Sequence, residues 1–119
     1  MFERFKSIEK LEAQLRDWWY ENVRLKFGEK FAFERKEYIY GRPLKDALIE
    51  ILGSTRREIQ YAKAMMKLNG TKPSFSEHMH NVKGHDLAVK ICKRKNWRAF
   101  YNGSPMTGYE VSIVEMTHS

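Results

Sequence analysis

A single cysteine, Cys92, in a chain of 119 residues excludes an internal disulfide and any C-x-x-C metal cage. Such sparse cysteine usage fits a reducing compartment, so we expect a cytoplasmic protein. No apolar run approaches the ~18 residues that suggest a membrane helix. The charged start MFERFKSIEK has no apolar signal segment either, and we expect neither a signal peptide nor a membrane span. G-x-x-x-x-G-K-[ST], G-x-G-x-x-G and G-x-S-x-G are all missing. Phosphate-loop, dinucleotide and hydrolase-elbow chemistry therefore find no support. No repeat, low-complexity tract or linker divides the chain, and we expect one domain over residues 1–119.

Acidic residues become scarce past the first half. Residues 1–53 carry 11 Lys/Arg and 10 Asp/Glu, whereas residues 54–98 carry 11 Lys/Arg and only Glu58, Glu77 and Asp86. The net charge of +7 is thus concentrated in one middle segment. Concentrated like charge points to an acidic partner, nucleic acid first.

What the chain does have is aromatic and aliphatic residues in helical order. Ile8, Leu11, Leu15, Trp18, Asn22 and Leu25 follow a 3–4 spacing that predicts a long N-terminal helix over residues 7–27, with Ser7 as cap and Gly28 as stop. Phe31-Ala32-Phe33 and Tyr38-Ile39-Tyr40 alternate as strands do. Leu44, Ala47, Leu48, Ile51 and Leu52 form a helical face that Gly53 ends. Thr55 and Glu58 have the spacing of a capping box opening the next helix, which stops at Asn69-Gly70. Ser74 and Glu77 have the same spacing. The helix they open carries Phe75, Met79 and Val82 and breaks at Lys83-Gly84. A basic helix over 85–96 follows, then a hairpin that turns around Asn102-Gly103. We expect Phe75, Met79, Leu87, Ile91, Trp97, Val111 and Ile113 to share a core, Phe100 and Tyr109 to pack on the helices, and Cys92 to be a small core residue.

Helix, tight turn, basic helix and hairpin over residues 55–116 resemble a winged helix-turn-helix DNA-binding domain. The resemblance implies an α+β fold, mostly helical, with a C-terminal β-hairpin as wing. It also implies a second helix docked on duplex DNA. The residues that fit phosphate contact are Arg56, Arg57, Lys83, Lys90, Lys93, Arg94 and Arg98, with Asn102, Tyr101 and Ser104 at the hairpin tip. Arg94 is also suited to reading guanine with two hydrogen bonds.

Two other classes of function compete. Trp18 and Trp19 give the first helix a wide apolar face, which fits a homodimer seam or a small inhibitor or adaptor docked on a larger machine. His78, His80, His85 and Asp86 cluster as in a small nuclease. The i, i+4 histidine pair that zinc favours on a helix is absent, however, so we expect no metal, cofactor or catalytic residue. The leading expectation is a small, non-enzymatic, regulatory or accessory protein that binds double-stranded DNA.

Overall fold

A computed structural model describes residues 2–70 and 75–116, with side chains from residue 8 in the first segment and from residue 79 in the second. Among the described residues five helices precede one hairpin: α1 (Phe2–Phe27), α2 (Glu29–Glu34), α3 (Lys36–Tyr40), α4 (Leu44–Asn69), α5 (Phe75–Arg94), β1 (Trp97–Ser104) and β2 (Gly108–Glu115). The class is α+β, mostly helical, as the sequence predicts.

One buried cluster joins α1, α3, α4, α5 and β2, and includes Leu15, Trp18, Trp19, Ile39, Leu48, Leu52, Leu87, Ile91, Val111 and Ile113. Trp97 packs half-buried at its margin. Met79, expected in this core, is 47% exposed. The Phe75 and Glu77 side chains, Ser7 and Ser74 lie outside what the structure describes.

Four local expectations are corrected. Residues 31–40 are two short helices rather than strands. Ala32 and Ile39 are both buried, and seven residues is two helical turns, so both sides of Arg35 present one face inward. Arg16 on α1 holds this segment, donating to the Ile39 carbonyl at 2.7 Å and the Arg42 carbonyl at 2.9 Å. The first is a carbonyl that the end of a short helix leaves free, and the second lies just past the α3 cap at Gly41.

Next, α4 runs unbroken through Gly53 and Thr55. Gly53 is buried, and a Cβ there would sit 3.1 Å from the Tyr109 carbonyl oxygen and 3.4 Å from Val111. The glycine therefore lets β2 approach the helix instead of ending it. Thr55 caps nothing. Its buried hydroxyl donates to the Ile51 carbonyl one turn back, at 2.5 Å, a bond that lets a threonine sit inside a helix. The stop at Asn69-Gly70 is as expected: Gly70 is left-handed (φ 64) and its N–H bonds the Met66 carbonyl at 2.9 Å.

Third, α5 is one helix across Lys83-Gly84, so the expected helix-turn-helix turn is not there. A Cβ on Gly84 would lie 2.3–2.5 Å from the Trp18 indole. The residue is glycine because a tryptophan from α1 occupies the side-chain space. Trp18 Nε1 donates to the His80 carbonyl at 2.7 Å, and its ring stacks on the His80 imidazole at 5.2 Å.

Finally, the hairpin turns at residues 105–107. Asn102 pairs with Glu110 and Gly103 with Tyr109, inside the ladder. Ser104 Oγ accepts from the Thr107 N–H at 3.2 Å, and Gly108 supplies the positive φ of 90° that closes a three-residue loop. At the base, Asn96 takes φ 58°, and Met116 N–H donates to its carbonyl at 3.0 Å.

Candidate nucleic-acid interface

Because α5 does not break, its exposed residues form one strip. Met79, Lys83, Asp86, Lys90 and then Lys93 with Arg94 follow each other at 3–4 spacing and are all exposed. Leu87, Ala88, Ile91 and Cys92 occupy the buried side. From Lys83 to Arg94 the strip spans ~16 Å at 1.5 Å per residue. Two separate helices would have divided Lys83 from the other three cations.

The ion pairs among the described residues use cations from the first half of the chain. Arg16 pairs with Glu12, Arg24 with Glu21, Lys26 with Glu58, Arg42 with Glu50 and Lys45 with Glu115. Lys83, Lys90 and Lys93 enter none of them. The charge imbalance of the sequence thus becomes a line of ammonium groups outside the ion pairs described, with Asp86 as the described carboxylate among them.

The other expected residues sit elsewhere. Arg57 Nε donates to the Pro105 carbonyl at 3.2 Å and holds the hairpin turn to α4. Arg56 is half-buried, its guanidinium carbon 4.1 Å from the Tyr101 ring centroid and 5.4 Å from that of Tyr109. Tyr101 therefore faces inward, and burial raises its phenol pKa against the opposing pull of Arg56. Ser104 is used within the turn. Arg98 and Asn102 stand on the outer, exposed face of β1, where Arg98 lies over Phe100 at 5.2 Å. Phe100, expected to pack inward, is 47% exposed. Its alternation phase puts it with Arg98 and Asn102, opposite Trp97, Ala99 and Tyr101.

The histidines do not converge. His80 stacks on Trp18 against α1, whereas His85 faces α4 in a cleft shared with Arg56, Ile59, Gln60, Lys63, Val82 and Asp86. Burial lowers the pKa of both, with Asp86 raising and Arg56 lowering that of His85. His78 lies outside the described side chains. No group of three metal-binding side chains occurs among the described residues. Cys92 is buried and its thiol pKa is raised by burial.

Trp18 and Trp19 are 5% and 7% exposed, so the apolar surplus that suggested a docking face there is consumed by the core. Arg42 covers Trp19 at 5.6 Å. The exposed apolar residues of this region come later: Leu25 and Phe27 at the end of α1, and Phe31 and Phe33 in α2. Phe27 and Phe31 lie 5.1 Å apart. Reading FAF as a strand hid this pair, which the break at Gly28 (φ 97) sets between the end of α1 and the start of α2. Gln60 and Lys63 were also missed, at i+4 and i+7 from Arg56.

Among the described residues no helix is long and apolar enough to cross a membrane. Comparison of the chain with protein-family models, curated proteins and solved structures found no match in any of the three.

Proposed function

We propose that the protein binds double-stranded DNA through its phosphates, with the exposed strip of α5 laid across the groove. The observation that carries this is the unpaired set Lys83, Lys90 and Lys93 on one face of a continuous helix, beside Arg94. Elsewhere, Arg16, Arg24 and Lys26 of α1 and Arg42 of the α3–α4 connection are tied to carboxylates. Lysines held without counter-charge in water cost little, and each one placed on a phosphate releases a condensed counterion. Arg98 and Asn102 extend the contact from the hairpin. The protein is read as a small accessory or regulatory factor with no chemistry of its own. Titration with random duplex, single-stranded DNA and RNA at two salt concentrations tests this. Duplex binding that weakens steeply with salt supports it, and silence with duplex at low salt refutes it.

A protein partner is the second reading, and the exposed Phe27–Phe31 pair favours it, with Leu25 and Phe33 beside it in the chain. Two exposed rings in van der Waals contact are the kind of aromatic anchor that interfaces bury. Failure to bind any nucleic acid, with the pair protected in a complex with another protein, would favour this reading.

A further inference from the structure

We propose that the cleft between α4 and α5 is a binding site for a phosphate group, held by Arg56, Gln60 and Lys63 with His85 beside it. The proposal deepens the duplex-binding reading, since a DNA backbone is one source of that phosphate. It does not need that source, because a free phosphate ester carries the same chemistry.

The cleft is about 330 Å³, large enough for a phosphate and part of the group it esterifies. Arg56, Gln60 and Lys63 stand at i, i+4 and i+7 of α4, one above the other on a single face. Across from them α5 contributes Val82, His85 and Asp86. The lining is rich in donors: a guanidinium, an amide NH2, an ammonium and an imidazole. Among the described residues Asp86 is its one carboxylate, and it is exposed.

Arg56 is the unusual member. It is half-buried, and among the described residues no carboxylate pairs with it; its guanidinium lies against the two tyrosine rings, and His85 lines the same cleft. Its Nε is buried without a hydrogen-bond acceptor. A cation drawn out of water and left without an anion is costly, and ring faces offset that cost only in part. A bound anion completes the balance. Tetrahedral phosphate, with three or four acceptor oxygens, matches a donor set spread over two helices better than a flat carboxylate does. The tyrosines behind Arg56 fix its guanidinium before any ligand arrives, so little ordering remains at binding.

The test is proton NMR of the His85 and His80 rings, at constant ionic strength, with inorganic phosphate and with a random DNA duplex as separate probes. An anion beside His85 favours the charged imidazole, so its titration midpoint moves up, while His80, against α1, stays put. Lys63→Gln, at an exposed position, should weaken the response about threefold to tenfold. Asp86→Asn should strengthen it by about twofold to fivefold. A His85 shift with millimolar phosphate alone assigns the site to a free phosphate ester; a shift with micromolar duplex assigns it to the DNA backbone. Duplex binding that leaves His85 unmoved, with no response to phosphate, overturns the cleft and leaves duplex binding standing. A phosphate response without any duplex binding does the reverse. Equal movement of His80 and His85, or no effect of Lys63→Gln, also overturns the proposal.

Discussion

The indole of Trp18 occupies the space where Gly84 would carry a side chain, 2.3 Å from an ideal Cβ at its nearest atom. This contact sets how closely α1 and α5 approach, and the bond from Trp18 Nε1 to the His80 carbonyl fixes where along α5 they cross. It also explains why α5 carries a glycine at its centre without stopping there. In an ordinary exposed helix interior, Gly→Ala stabilises by ~1 kcal/mol. Here Gly84→Ala should destabilise by ~1–3 kcal/mol through overpacking. Chemical denaturation of both single variants and of Gly84→Ala with Trp18→Leu measures this. Gly84→Ala should cost much less in the Trp18→Leu background than in the unaltered protein; a left-handed turn at Gly84 would give no such coupling.

Leu87 and Ile91 are buried among Leu15, Leu52 and Ile113. Truncation of either to alanine should cost ~2–5 kcal/mol, as cavity-forming substitutions in packed cores do. Met79→Ala, at an exposed position of the same helix, should cost under ~0.5 kcal/mol. Urea titrations check all three.

Stability should fall on acidification through the histidines. Burial lowers the pKa of His80 and of His85 below the ordinary value, which is ~6.5 in an unfolded chain. The unfolded chain therefore binds more protons in this window. The stabilising contribution is present above the unfolded pKa and is lost as pH falls through the lower folded values. Glu21 opposes the lowering at His80, and Asp86 opposes it at His85. Unfolding midpoints between pH 7.5 and 5 should drop, and His85→Gln should flatten part of that slope. A rise in stability on acidification through the same range contradicts the assignment.

Cys92 should be nearly inert. It is buried and its thiol pKa is raised by burial, so little reactive thiolate is present at neutral pH. A disulfide reagent should modify it only as fast as the protein opens, with full reaction in denaturant.

Legibility in the sequence followed the range of the interaction. Gly70 ends α4 by a rule confined to a few neighbouring residues, and the rule predicts it. Gly53 and Gly84 obey the opposite logic. Each is small because an element remote in sequence, β2 or α1, comes close, and no local pattern distinguishes this from a helix stop. Thr55 with Glu58 has a cap's spacing, but the Ile51 carbonyl takes the hydroxyl inside the helix. For residues 31–40, a two-residue alternation and a seven-residue repeat coexist; the burial of Ala32 and Ile39 decides for helix. The cations of the α5 strip could be named from the charge distribution along the sequence, whereas Lys63 could not. Nor could the division of the basic residues: Arg57 is committed to the Pro105 carbonyl, Arg56 to two tyrosine faces, and Lys83, Lys90, Lys93 and Arg94 to one strip of α5. Arg16, to all appearances a surface cation of α1, ties down two backbone carbonyls instead.

The central claim is that the α5 lysines outside the ion pairs described, rather than positive charge in general, bind DNA. The direct measurement compares Lys90→Gln with Lys93→Gln as a double variant against Lys10→Gln with Lys30→Gln, four exposed lysines outside the ion pairs described. Duplex affinity is followed across a salt series. Each phosphate contact contributes ~0.9 to the slope of log K against log salt. The α5 double variant should therefore lower the slope by about two units and weaken binding at low salt, while the control keeps the slope of the unaltered protein. Equal losses in both variants, or unchanged slopes in both, would contradict docking through α5.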